Sequence, residues 1–140
     1  MKQELEEKLF RQFPWLEARN VWSGKKLGFC IGMSCDDGWY QLINDLCKGI
    51  DEVLKNCSPE FVEGFFVEQV KEKFAGIRFY TSYGNDEIFR LIEEAEERSY
   101  KKCEHCGNDG EVCVRYSWLK TLCDKCRVEN GFEKCEKKSK

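Results

Sequence analysis

Two cysteine pairs carry the plainest chemistry in this chain of 140 residues. Cys103 and Cys106 stand in "CEHCG", Cys123 and Cys126 in "CDKC", with sixteen residues between the pairs. A C-x2-C turn aims two thiolates at one centre. Two such turns close a tetrahedral shell of four sulfurs, the preferred geometry of structural zinc. Gly107, directly after the second cysteine, suits the tight backbone reversal of a zinc knuckle. The intervening "EVCVRYSWLKTL" is strand-like and can fold into a hairpin, so the segment has the layout of a zinc ribbon. The Zn2+ expected here is structural, because four cysteines leave no open position for water and catalytic zinc keeps one.

Other catalytic chemistry is thin. His105 is the only histidine. It lies inside the first knuckle, where it could replace a ligand, and is expected to point to solvent. With no second histidine, a Ser-His or Cys-His pair elsewhere is excluded. Asp36 and Asp37, like Asn85, Asp86 and Glu87, read as helix caps or first-turn acids rather than as a paired-carboxylate site. The chain is therefore expected not to be an enzyme. Of the other six cysteines, Cys47 falls near a helix stripe and reads as core. Cys30, Cys35, Cys57, Cys113 and Cys135 read as free thiols; Cys30 and Cys35 could begin a second metal site, but no partner pair is evident.

A second candidate site is cationic. Residues 65–83, "FFVEQVKEKFAGIRFYTSY", read as a hairpin turning at Ala75-Gly76. In that register Phe74 faces Ile77, Glu72 faces Phe79 and Val70 faces Thr81 on an apolar side. Lys73 meets Arg78, Lys71 meets Tyr80 and Gln69 meets Ser82 on the other. Two readings of the second face stand open. It is a solvated face screened by Glu68, Glu72 and the acidic helix 93–97. Alternatively Lys71, Lys73, Arg78 and Tyr80 bind a phosphate-bearing ligand, the cations taking the phosphate and the ring a base or sugar.

The elements that must position these groups follow from periodicity. Residues 2–12 form a helix with Leu5, Leu9 and Phe13 on one side, ended by Pro14. Residues 26–33 alternate bulky Leu27, Phe29, Ile31 and Met33 with small Gly28, Cys30 and Gly32, predicting a strand whose bare face lets another backbone or a ligand come close or, the favoured reading, takes a tightly packed helix. A helix follows from Trp39 to Leu54, with Leu42, Ile43, Leu46, Ile50 and Val53 on its stripe, capped by Asp36 or Asp37 and closed by "CSPE". Another begins at Asn85 or Asp86, with Ile88, Leu91, Ile92 and Ala95 inward. The predicted architecture is α+β: helices on a small antiparallel sheet over 1–102, the ribbon over 103–135, and a basic tail over 136–140.

Composition narrows the setting. A hydrophobic share of 41% supports a real core, and no apolar run approaches a membrane span. The acidic, helical N-terminus is not a secretory leader, which points to the cytoplasm and to metal or free thiols rather than disulfides. Net charge is −3. Residues 101–140 carry ten Lys/Arg against seven Asp/Glu; four thiolates and one Zn2+ reduce that excess to about +1. Nucleic acid is therefore the weaker expectation, although Arg115, Tyr116, Trp118 and Lys120 could form a local patch. Trp118 and Leu119 are expected instead to pack the ribbon onto the main domain.

"VKEKFAGIRFYTS", "IEEAEERS", "CEHCGNDG" and "WLKTLCDKC" together resemble a widespread family of small phage and prophage proteins. Its members share a K-E-K-F-G-x-L-R-F-Y-like stretch, an acidic helix and a C-terminal ribbon. The resemblance covers roughly residues 67–127. It departs at Ala75-Gly76, where the pattern has glycine first. Lys71, Lys73, Phe74, Arg78, Phe79 and Tyr80 fall on the signature stretch, and the four ribbon cysteines on the metal site. The resemblance implies a phage product acting in a bacterial cytoplasm. The leading expectation is a binding protein that disarms a host factor, most specifically by sequestering a nucleotide-type immune signal, in a pocket that a homo-oligomer could build. The alternative is a ribbon adaptor that binds nucleic acid or a host protein.

Overall fold

The computed structural model describes residues 1–135; the expected basic tail lies outside the described residues. Helix α1 (Gln3–Gln12) opens the chain with Glu4 and Glu6 in its first turn and Arg11 in its last, the arrangement its dipole favours. It buries Leu9 and hands over to a 3-10 turn at Pro14–Leu16. The stretch read as one strand over 26–33 divides in two. Strand β1 (Glu17–Arg19) pairs antiparallel with β2 (Lys26–Cys30), while β3 (Met33–Ser34) joins another sheet. No helix covers the bare face: a Cβ built on Gly28 or Gly32 would meet nothing within 4 Å. The Met1 amine donates to the carbonyls of Met33 and Cys35, fixing the start of α1 beside β3.

Helix α2 (Tyr40–Leu54) buries Leu42, Ile43, Leu46, Cys47, Ile50 and Leu54, the stripe its period predicts. Neither Asp36 nor Asp37 caps it. A 3-10 turn at Asp37–Trp39 precedes the helix, and the Asp37 carboxylate instead accepts from the Lys2 N–H at 2.8 Å. The "CSPE" segment does not merely close α2. Ser58 accepts from the Phe61 N–H and Pro59 takes the first helical position, which starts α3 (Pro59–Gly64).

Strands β4 (Val67–Lys73) and β5 (Gly76–Thr81) form the expected hairpin, and β3 adds parallel to β4, so the central sheet is mixed with order β3-β4-β5. Its apolar face, Val67, Val70, Ile77 and Phe79, shares one core with Leu9, Phe13, Trp39, Leu46 and Ile50. Each such side chain contributes about 1.5–3 kcal/mol on burial. Helix α4 (Asp86–Ser99), capped by Asn85, adds Ile88 and Ala95 and lies along the outer edge of β5. There the buried Ser99 hydroxyl accepts from the Ile77 N–H at 3.0 Å, occupying an edge donor that would otherwise be open.

The C-terminal segment builds a third sheet of order β7-β6-β8 from β6 (Glu111–Arg115), β7 (Trp118–Leu122) and β8 (Glu133–Lys134), with the short helix α5 (Asp124–Glu129) between the last two. Its small core is Cys103, Cys113, Leu122, Cys126 and Phe132. No helix among the described residues is long and apolar enough to cross a membrane.

Candidate metal centre and cationic hairpin face

The sulfurs of Cys103, Cys106, Cys123 and Cys126 lie within 4.8 Å of one another, those of Cys106 and Cys123 at 3.6 Å. Sulfurs bound at about 2.3 Å to one tetrahedral ion stand roughly 3.8 Å apart, so the four thiols fit such a group. The backbone is arranged for thiolates. The Cys106 N–H donates to the Cys103 sulfur at 3.5 Å, and the Cys126 N–H to the Cys123 sulfur at 3.4 Å. That second bond is the main reason the Cys123 thiol is lowered to about 7. Gly107 takes φ +87° as its N–H returns to the Cys103 carbonyl at 2.9 Å. The four thiols could hold a metal ion. His105 is exposed and stands outside the sulfur cluster, its Nδ1 4.0 Å from Asp36.

Sequence reasoning missed how this cluster is fastened. Glu104, between the ligand Cys103 and the exposed His105, is only 2% exposed. One carboxylate oxygen accepts from Lys120 Nζ at 2.8 Å and the other from the Asp36 N–H at 3.1 Å. Its backbone carbonyl accepts from the Gly38 N–H at 2.7 Å. Burial raises the Glu104 carboxyl, while the ammonium and the Asp36 amide pull it back. The Lys120 ammonium is pushed down by burial but raised overall by Glu104 and then Asp36. Close by, the Trp39 indole donates to the Lys102 carbonyl at 2.9 Å. A Cβ on Gly38 would collide with the carbonyls of Cys103 and Glu104, so the first knuckle rests directly on the backbone that leads into α2. Nothing in a lone Glu between Cys and His signals this; the nearest hint is Lys120, sixteen positions away.

The hairpin face differs from its expected register. The turn is Phe74-Ala75, with φ +52° and +75°, and not Ala75-Gly76. Lys73 therefore faces Gly76, Lys71 faces Arg78, Gln69 faces Tyr80 and Val70 faces Phe79. Each partner moves by two positions, so the strand residues keep their faces, but Phe74 leaves the apolar side for the turn, where it is 66% exposed. Left-handed conformations cost a non-glycine residue about 1–2 kcal/mol each. Three contacts hold them. The Ala75 N–H donates to Glu72 at 2.9 Å, the Ala75 carbonyl accepts from the buried Thr121 hydroxyl at 2.8 Å, and Gly76 lies against the Tyr100 ring, which a Cβ there would approach to 2.5 Å.

On the outer face, Arg78 is committed to α4: it pairs with Glu96 at 2.9 Å and donates to the Tyr100 hydroxyl at 3.4 Å. This matches the screening expected from the acidic helix, through Glu96. Its pKa is raised, first through the Tyr100 bond. Lys71 and Lys73 enter no ion pair among the described residues; the Lys73 ammonium sits 5.7 Å over the Phe74 ring. Tyr80 is exposed beside them. Ser82 is drawn away from the face, accepting from the Phe66 N–H and donating to the Gly64 carbonyl.

Trp118 does not pack the C-terminal sheet onto the main core. Its ring meets Phe132 edge-on at 5.4 Å, with the Arg115 guanidinium 5.5 Å above it and Lys120 at 5.7 Å. Tyr116, in the β6–β7 turn at φ +58°, is 94% exposed. All ten cysteines are free of disulfides. Burial leads the rise of the Cys30 thiol to about 11 and of Cys35 to about 12, and it raises the fully buried Cys47 as well. Among the described residues, Cys30 and Cys35 join no metal-ligand group. No family model, curated protein or solved structure matches the chain.

Proposed function

We propose that this is a binding protein with no chemistry of its own, and that its β4–β5 face, with Lys71, Lys73, Arg78 and Tyr80, holds a phosphate-bearing ligand. One observation carries the reading. Lys71 stands directly opposite Arg78, a like-charged pairing that destabilises a sheet unless compensated. Glu96 compensates Arg78 and orients it; Lys71 and Lys73 are left with unanswered charge, next to the exposed Tyr80. A phosphate group supplies the missing anion, and the tyrosine ring offers a stacking surface for a base.

The resemblance to small phage proteins supplies the setting for this face. In it, the protein is a phage product in a bacterial cytoplasm that disarms a host factor by sequestering a nucleotide-type immune signal. Zn2+ is the ion of the four-cysteine cluster and serves as a structural support. Native mass spectrometry of protein purified from bacteria with active nucleotide-signalling defences tests the reading. A retained nucleotide mass, present in the parent and lost in a folded Lys71→Glu or Lys73→Glu variant, supports it. A folded, metal-loaded protein that retains no nucleotide and binds none from a panel of cyclic and linear nucleotides refutes it. Arg78→Ala is the weaker test, because it also breaks the Glu96 pair.

A second reading, a ribbon adaptor for nucleic acid, is favoured by the exposed Tyr116 and by Arg115 stacked over Trp118 instead of over the core. It predicts binding of single-stranded oligonucleotides that weakens steeply with salt and is lost in Tyr116→Ala.

A further inference from the structure

We infer that the outer edge of β2 is an interface between two copies of this chain, paired antiparallel about a two-fold axis near Gly28. The β1–β2 sheet has only two strands, and a two-stranded sheet with its bulky side chains in water is marginal by itself. Leu27 and Phe29 on β2 are 44% and 58% exposed, and Trp22 in the turn before it is 93% exposed, with Val21 exposed beside it. No other stretch of the described residues gathers as many exposed large apolar side chains. The turn and the strand end are already bonded inward, Asn20 N–H to the Lys25 carbonyl and Ile31 N–H to the Leu16 carbonyl. Gly28, at φ +86°, turns its N–H inward to the Glu17 carboxylate at 2.8 Å and has no side chain to stand between two copies.

Charge selects a second copy as the occupant. In an antiparallel pair centred on Gly28, Leu27 of one copy meets Phe29 of the other, and Lys26 meets Cys30. The neighbourhood of Cys30 is acidic: the charges of Glu6 and Glu7 on α1 act on its thiol, and Glu6 accepts from the Met33 N–H at 2.8 Å. Each copy therefore carries Lys25 and Lys26 to the other's Glu6 and Glu7, twice by symmetry. Lys26 has only a 3.9 Å contact with the exposed Glu63 to give up. The result is a four-stranded sheet, β1-β2-β2-β1, in which Leu27 of each copy lies side by side with Phe29 of the other on one face, an isologous contact.

The inference does not rest on the ligand reading and can fail without it. Sedimentation velocity on the metal-loaded chain, over a wide concentration range, should give twice the 16.5 kDa monomer mass. Leu27→Glu combined with Phe29→Glu should give monomer with an unchanged circular dichroism spectrum, since both side chains are exposed. Lys26→Glu and Glu7→Lys should each raise the dimer dissociation constant by roughly tenfold, and the two together should recover most of that loss. A chain that stays monomeric throughout overturns the inference. So does a dimer indifferent to the Leu27 and Phe29 substitutions, which would locate the contact elsewhere.

Discussion

Replacing Glu104 by alanine probes the join between the cysteine cluster and the core. The carboxylate is buried, and the Lys120 side chain it neutralises is only 16% exposed. Removing one member of a buried pair costs about 3–5 kcal/mol, because the other charge stays behind. Here the Asp36 carboxylate, 3.8 Å from the same ammonium, can take over part of the role, which places the expected loss near the lower figure. A loss of about 3 kcal/mol is a large part of the roughly 5–15 kcal/mol that holds a domain folded. Denaturant unfolding of the metal-loaded protein, as a double-mutant cycle with Lys120→Ala, separates the pair from its surroundings. The two single variants should each be strongly destabilised, and the double variant should fall short of their sum by at least about 1 kcal/mol. Glu104→Ala should also surrender its metal faster to a chelator, since the loop holding Cys103 and Cys106 loses its fastening. Additive losses would show that Glu104 and Lys120 do not act on each other, and the account of the join would be wrong.

Other expectations follow from the same geometry. Gly76→Ala, which drives a methyl group against the Tyr100 ring, should lower stability by about 1–3 kcal/mol in thermal or denaturant unfolding. Phe74→Asn, at a left-handed position with an exposed side chain, should raise it by up to about 1 kcal/mol. Metal affinity, read by competition with a chelator, should fall as pH drops, because ligating thiols must lose their protons; iodoacetamide labelling should show Cys123, lowered to about 7, as the cluster thiol most readily modified once the ion is stripped. In the same experiment Cys35 and Cys47, buried and with raised thiols, should resist iodoacetamide at neutral pH until the core unfolds.

The parts of this fold legible in the sequence are those where a period repeats. The α2 stripe is the one its period predicts, the strand residues of the hairpin keep their faces while Phe74 passes into the turn and Ser82 is drawn aside, and the four cysteines converge as their spacing requires. The departures share a cause: a residue's local habit is not always its local use. Gly76 looked like the turn, but it is glycine because Tyr100 leans on it, and the left-handed turn is made by Phe74 and Ala75 under tertiary restraint. Asp36 and Asp37 look like caps but face Lys120 and Lys2. Ser58-Pro59, read as an ending, begins α3. The run 26–33 alternates as one strand would, yet its halves serve two sheets. Glu104 could not be found at all, since burial of a carboxylate depends on a lysine distant in sequence.

The hydrogen bond from Thr121 to the Ala75 carbonyl has a consequence for how such a protein can change over generations. The turn that spaces Lys71 from Arg78 is held from outside, by a hydroxyl on the strand that leads into Cys123. A substitution at position 121 would be felt at the cationic face without touching it, and a substitution at 75 would be felt at the cluster. The same holds for Gly38 and the knuckle that lies on it. These positions should drift together or stay fixed together, so that a lineage altering its hairpin face is not free to alter its four-cysteine cluster.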